Sequence, residues 1–339
     1  MLKAAVIGVG AIGQNHARVM RGTPGVTFVG VADADATVGR RVAQLHNVPA
    51  FSSLEELLDK GAPDLVVVAV PTGLHHEVGL KLIERGVHVL MEKPIASTVE
   101  QGEELVDKAQ KKGVILAVGH IERFNPAVME LRRRLREGMA GRIYKLLAQR
   151  LSPYPPRIRD AGVVIDLASH DIDLMRYLMG EPIVRLYGET LQGINSDRED
   201  LFDGLLKFQG GALGVLDVNW MTPTKVRRLT VTGARGLFEC NLLSQELFFY
   251  ENESAPSQWD ALSVLRGVSE GNVLGIRIHR HEPLVAEIND FVAAVRDRRE
   301  PTVTGKDGLE TLRVALSFVQ SGGDNSPKLF AAARAASAE

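Results

Sequence analysis

Over the first 120 residues, short apolar runs rich in β-branched side chains alternate with longer stretches whose apolar positions recur at helical spacing. The short runs are Leu2 to Ile7, Thr27 to Ala32, Leu65 to Val70, Val87 to Met91 and Val114 to Val118. They are too apolar for half-exposed strands and fit parallel strands covered on both faces. The amphipathic stretches Ile12 to Arg21, Asp35 to His46, Ser53 to Lys60, Leu74 to Arg85 and Thr98 to Lys112 each predict a helix. Ser97 or Thr98, with acidic residues soon after, reads as a capped helix start. Strand and helix in this rhythm predict a doubly wound α/β domain over residues 1–120.

Past Gly119 the pattern changes. Asn125-Pro126 opens a charged helix running to Arg136, and after Gly141 come longer strand-like runs linked by turn residues such as Gly210-Gly211. Strands are predicted at Arg142 to Leu151, Ile183 to Leu191, Asp203 to Phe208, Ala212 to Asn219, Arg227 to Thr232, Gly236 to Asn241 and Glu246 to Tyr250. Helices are predicted at Ser169 to Met179, Leu284 to Arg296 and Gly308 to Val319. Residues 121–339 are therefore expected to form an α+β domain around a large, mainly antiparallel sheet. At 339 residues the chain exceeds the roughly 250 to 300 at which one core stops growing, which agrees with two domains.

Composition narrows the partners. Forty Lys and Arg against 42 Asp and Glu leave a net charge of -2, so there is no general electrostatic reason to bind nucleic acid or an anionic membrane. An anionic ligand must be held by a local site. Cys240 is the only cysteine, which excludes an internal disulfide and a cysteine-cluster metal site and suits a reducing cytoplasm. The amino terminus runs straight into a strand without the pattern of a signal peptide. The longest clean apolar run, Leu65 to Val70, is far short of the roughly 18 residues of a membrane span. The expectation is a cytoplasmic protein with a small-molecule substrate, no nucleic acid, no membrane and no metal.

Between the first strand and the first helix lies Gly8-Val9-Gly10-Ala11-Ile12-Gly13, the G-x-G-x-x-G of a dinucleotide-binding Rossmann domain. The first glycine permits a tight turn and the second lets backbone approach a pyrophosphate. The third lets helix and strand pack closely, and the helix start attracts the phosphates. About twenty residues after Gly13, at the end of the second strand, Asp33 can accept hydrogen bonds from ribose hydroxyls and repel a 2′-phosphate. NAD is favoured over NADP, with Arg40 and Arg41 weighing slightly the other way. Pro71 and Thr72, after Leu65 to Val70, and the following His75 are placed to line the nicotinamide side. His75 reads equally as a helix-start residue without a ligand.

Glu92-Lys93-Pro94 follows Val87 to Met91 and so reaches the same crevice. Lys93 can hydrogen-bond an alcohol being oxidised and favour the developing alkoxide, where an adjacent Glu-Lys is ordinarily a surface pair. A second constellation is Asp166-Leu167-Ala168-Ser169-His170-Asp171-Ile172-Asp173. In a helix beginning near Asp166, residues 166, 170 and 173 share one face. Asp166 can orient His170, and His170 can take a hydroxyl proton; the alternatives are a helix cap and a core histidine.

The glycine fingerprint, Glu92-Lys93-Pro94 and Asp166-x-x-x-His170 together resemble the Gfo/Idh/MocA family of sugar and cyclitol dehydrogenases. The resemblance extends to His281-Glu282-Pro283-Leu284 and to Pro301-Thr302-Val303-Thr304-Gly305. It implies that Lys93 assists catalysis and that Asp166 and His170 position substrate and relay its proton. It also implies a Rossmann domain joined to an open-faced antiparallel sheet that makes a homodimer or homotetramer. Whether Lys93 or His170 is the formal base stays open.

Two further runs bear on the substrate: Gly119-His120-Ile121-Glu122-Arg123-Phe124-Asn125-Pro126 and Ser152-Pro153-Tyr154-Pro155-Pro156-Arg157-Ile158-Arg159-Asp160. Arg157 and Arg159 present fork-shaped donors suited to a diphosphate. Both runs look like the branch of the family that oxidises the 3-hydroxyl of UDP-N-acetylglucosamine. His120, Arg123, Asn125, Arg157 and Arg159 are accordingly expected to contact a UDP-sugar, together with Lys93, Asp166 and His170. They read alternatively as crossover loops with surface arginines. The competing functions are a dehydrogenase of a free sugar or inositol, and a cofactor-binding regulator without turnover.

Overall fold

The computed structural model describes residues 1–155, 161–194, 198–252 and 270–330. The chain divides into two compact units, one of residues 1–124 with 281–313 and the other of residues 125–280 with 314–339. The division expected at residue 120 is thus corrected in two ways. The boundary falls after Phe124, and the chain returns to the first unit at His281. The reason is packing: the helix Pro283–Asp297 buries Leu284, Ile288, Phe291, Val292 and Val295 in the same core as Val6, Val31, Val67 and Leu90.

The first unit is built on six parallel strands, β1 (Leu2–Ile7), β2 (Val26–Ala32), β3 (Ala50–Phe51), β4 (Leu65–Val68), β5 (His88–Met91) and β6 (Leu116–Val118). Their order is β3-β2-β1-β4-β5-β6, the doubly wound order that reverses direction at β1. Only β3, two residues long, carries too little pattern to be read from sequence. Helices α1 (Gly13–Gly22), α2 (Ala36–His46), α3 (Leu54–Glu56), α4 (His75–Glu84) and α5 (Val99–Lys112) connect the strands. Strands β4 and β5 are buried along nearly their whole length, so they carry continuous apolar runs rather than an alternation.

In the second unit, α6 (Pro126–Arg136) leads to β7 (Ile143–Pro153), and a wide π-helical turn, Val164–Ala168, runs into α7 (Ser169–Met179). The strands β8 (Ile183–Leu191), β9 (Leu201–Phe208), β10 (Leu213–Asn219), β11 (Met221–Gly233), β12 (Gly236–Asn241), β13 (Glu246–Asn252), β14 (Glu270–Ile276) and β15 (Lys328–Leu329) follow. Helix α8 is Pro283–Asp297 of the first unit, and α9 is Gly305–Asp324. The nine-stranded sheet has the order β14-β13-β12-β11-β7-β10-β9-β8-β15, with β7 and β10 parallel and the other pairs antiparallel. Burial alternates along β9: Phe202, Gly204, Leu206 and Phe208 face the core, and Asp203 and Leu205 face out. The sheet is therefore covered on one face and open on the other. No helix among the described residues is long and apolar enough to cross a membrane. No group of three or more His, Cys, Asp or Glu among them is arranged to hold a metal ion.

Candidate active site

At the carboxyl end of β1 the chain turns through Gly8, whose φ of +78° is one that L side chains rarely adopt. The helix that follows packs so closely that a Cβ on Gly13 would lie 1.8 Å from the Gly8 carbonyl oxygen. Gly10 has open space where a side chain would stand. No side chain caps α1 and no acidic residue lies in its first turn, so the helix start keeps its donors and its positive end for an anion. Asp33 closes the loop from β2, one carboxyl oxygen accepting from the Val9 amide at 2.7 Å and the other from the Asp35 amide at 2.8 Å. Each oxygen keeps a second acceptor position for a ribose hydroxyl.

The ends of β4 and β5 stand beside this loop in the sheet. Pro71 is exposed and Thr72 half-exposed at the start of the turn into α4, whereas His75 is 1% exposed. Its Nδ1 lies 2.8 Å from the Pro94 carbonyl oxygen and its Nε2 3.0 Å from that of Val70. Burial holds His75 below the ordinary histidine pKa, against the two carbonyls and the charge of Glu92. His75 thus stands between the loops that follow β4 and β5, its ring nitrogens against one carbonyl of each.

Glu92 is largely buried, with Oε1 2.6 Å from Nε2 of His16 on α1 and Oε2 accepting from the Lys93 amide at 3.1 Å. Burial pushes its carboxyl up. The hydrogen bond and charge of His16, the charge of Lys93 and the Lys93 amide outweigh it and leave the pKa below the usual range. Glu92 is therefore the anion behind Lys93, and Lys93 itself is half-exposed. His16 is a member of this site that sequence reading missed; its signal is a histidine one turn into a helix otherwise buried through alanine, valine and methionine.

In the second unit, Asp166 lies in the wide turn Val164–Ala168 and His170 at the start of α7, both half-exposed. A π-helical turn inserted ahead of an α-helix is a feature found often at functional sites. Asp173 is buried, so the face that sequence spacing assigned to residues 166, 170 and 173 is open only at the first two. What fixes α7 against the sheet is Arg150 of β7, which donates from Nε and Nη2 to the two oxygens of Asp171 at 2.7 and 3.0 Å. His170 is carried by the residue next to that anchor.

Residues 2–120 match the family profile described as "Oxidoreductase family, NAD-binding Rossmann fold", and residues 128–239 match the "GFO/IDH/MocA C-terminal domain". The chain belongs to the GFO/IDH/MocA oxidoreductase family. It is 29% identical to the UDP-N-acetylglucosamine 3-dehydrogenase of Acidithiobacillus ferrooxidans over 317 residues, 93% of this chain and 95% of that one. A solved structure of a dehydrogenase of that name from the same organism superposes with a TM-score of 0.84, covering 94% of this chain and 97% of the other at 28% identity. The myo-inositol dehydrogenase Hyg17 of Streptomyces leeuwenhoekii is 31% identical over 249 residues, 70% of this chain and 76% of its own. Membership makes the protein an NAD-dependent dehydrogenase acting on a hydroxyl-bearing carbon.

The glycine loop fits NAD: an uncapped helix start, open space at Gly10 and an acceptor at Asp33 are what a pyrophosphate and a ribose diol need. Asp33→Ser is expected to raise the Kd for NAD by roughly tenfold to a hundredfold, the equivalent of losing charged hydrogen bonds worth about 1.5 to 3 kcal/mol. Titration of nicotinamide binding by fluorescence checks it, and unchanged affinity would remove Asp33 from the ribose site.

The structure redirects other expected ligands. Arg123 is 4% exposed, 3.2 Å from Asp307 and donating to the Thr302 carbonyl at 3.2 Å. Burial pushes Asp307 up, but Arg123 and the amide and hydroxyl of Thr304 hold it below its usual pKa. Asn125 is 2% exposed; it caps α6 at the Ala127 amide and donates to the Leu242 carbonyl. Both side chains are buried and bonded within the protein. His120 is also buried. Arg157 and Arg159 lie outside the described residues.

Proposed function

We propose that the chain oxidises the 3-hydroxyl of UDP-N-acetylglucosamine to a ketone. The observation that supports this reading most is the similarity to the Acidithiobacillus ferrooxidans 3-dehydrogenase along nearly the full length of both chains. NAD, when bound, supplies the acceptor for the hydride that leaves the sugar carbon. Lys93, with the Glu92 anion behind it, donates to the reacting hydroxyl and stabilises its oxygen as negative charge develops. Asp166 orients His170, and His170 receives the hydroxyl proton, an imidazole being able to hold it near neutral pH. Gly8 to Gly13 and Asp33 hold the dinucleotide, Pro71 and Thr72 lie along its nicotinamide end, and Arg157 and Arg159 meet the diphosphate of the sugar nucleotide.

The protein mixed with NAD and UDP-N-acetylglucosamine is expected to produce the absorbance of reduced nicotinamide. Silence with this substrate and turnover of myo-inositol or glucose would select the second reading, which the 31% identity to a myo-inositol dehydrogenase favours. Tight NAD binding without turnover of any of them would select a regulator. The open face of the nine-stranded sheet, with Leu205, Phe248 and Tyr250 exposed, supports a homodimer or homotetramer. Light scattering of the purified protein tests that assembly.

A further inference from the structure

The carboxyl ends of the parallel strands carry the dinucleotide loop, and their amino ends carry a hollow of about 620 Å³ where β5 begins at His88 and β6 at Leu116. Every residue of its wall belongs to the first unit. Val106, Ala109, Ile115, Leu116 and Val295 make the apolar part of that wall, and Arg298, Arg299 and Lys306 bring charge to it. A volume of about 300 to 1,000 Å³ lined by apolar side chains with a few charged groups is the make-up of a small-molecule site. A second hollow of about 760 Å³ shares His88, Val295 and Arg298 with the first.

The cations around the two hollows differ in how they are held. Arg299 is paired with Asp290, Arg85 with Asp59 and Arg296 with Asp297. Arg298 and Lys306 have no acidic partner among the described residues. The acids in the two walls are Glu300 and Asp64, and Asp64 accepts from the Lys3 amide at 2.7 Å. In a chain of net charge -2, this end of the sheet therefore carries a local excess of positive charge. Arg298 ends α8 at φ +51° and ψ +42°, the left-handed conformation that glycine or asparagine ordinarily supplies there. An arginine in that place breaks a local rule, and such breaks are found at functional sites. His88 adds a donor. The Ile115 amide donates to its Nδ1 at 2.9 Å, so Nδ1 is an acceptor and the ring proton is on Nε2.

We propose that the hollow at the start of β5 and β6 binds an organic anion with an apolar body, a carboxylate or phosphate held by Arg298, Lys306 and His88 with its hydrocarbon part on Val106, Ala109, Leu116 and Val295. The two unpaired cations select the sign of the ligand, and the guanidinium of Arg298 can hold two oxygens at once. The apolar wall selects its body, because a hydrocarbon part leaves water together with the wall it covers. The site is separate from the oxidation of the sugar. It lies at the opposite end of the sheet and contains no residue assigned to the dinucleotide or the sugar, so it stands or falls whatever the substrate is.

Isothermal titration calorimetry of the full chain saturated with NAD, which fills the anion site at α1, tests the proposal with octanoate and octyl phosphate as probes. Saturable binding of either supports it, and the tighter of the two identifies the head group. Inorganic phosphate and octanol, each lacking one half of the ligand, are expected to bind about tenfold or more weakly. R298G places in the left-handed position the residue that the backbone favours, so it is expected to fold as well as the wild type. It is expected to raise the Kd of the probes about tenfold and K306Q about threefold to tenfold, with the Kd for NAD unchanged in both. Absence of saturable binding by both probes overturns the proposal. So does equal affinity for inorganic phosphate or for octanol, and so does an R298G protein that binds the probes as the wild type does.

Discussion

Lys93→Ala is expected to lower kcat by about a hundredfold to ten-thousandfold while leaving the Kd for NAD within about threefold. The side chain stands at the end of β5, outside the glycine loop that holds the dinucleotide, so its removal deletes no phosphate contact. The Lys93 backbone amide still reaches Glu92 at 3.1 Å, so the loop keeps its anchor. In the proposed role, what is lost is a cationic donor to the developing alkoxide, an interaction much stronger in the transition state than in the bound alcohol. The loss should therefore fall on kcat and kcat/KM alike. Lys93→Arg is expected to restore little, because a planar guanidinium offers its donors in another geometry. Single-turnover absorbance of reduced nicotinamide, beside a fluorescence titration with NAD, separates the two quantities. Turnover near the wild-type rate would take Lys93 out of the chemistry and leave the hydroxyl proton to His170 alone.

Those parts of the site whose physics is local were legible in the sequence. Two glycines of the first loop have a steric reason within a few residues, a positive φ at Gly8 and a close approach at Gly13, and Asp33 stands where β2 ends. Glu92 and Lys93 follow from the strand before them. The surroundings of other residues depend on partners far along the chain. Arg123 and Asn125, polar and following a strand, look the same whether they face a ligand or, as here, Asp307 and the Leu242 carbonyl. His75 follows β4 in the chain, and its burial comes from carbonyls on two loops, those of Val70 and Pro94.

The same limit explains the domain boundary. The apolar stripe of α8 declares a helix with a buried face; it carries no sign of which sheet that face covers. Alternation along β9 declares a half-open sheet in advance, because a strand covered on one side must change character at every residue.

Asp171→Ala is expected to destabilise the second unit by about 3 to 5 kcal/mol. Arg150 and Asp171 are 5% and 2% exposed, joined by two hydrogen bonds from one guanidinium edge. Removing the carboxylate leaves a cation that cannot shed its proton in a volume from which water has been excluded, the costly half of a broken buried pair. Replacing both partners with apolar residues, as in Arg150→Met with Asp171→Leu, should recover most of the loss, since neither charge is then left behind. Urea unfolding followed by near-ultraviolet circular dichroism reports on this unit through Trp220, which is buried edge-on to Tyr154. Activity separates two roles. The pair holds α7 to β7, so the single variant should lose kcat together with stability as His170 loses its seat. If the double variant regains both, the pair is a scaffold for the histidine and no more. If it regains stability alone, the charge of Asp171 itself acts on its neighbour His170. An Asp171→Ala protein with the wild-type unfolding midpoint would mean that water reaches Arg150, and the buried-pair account of α7 would fail.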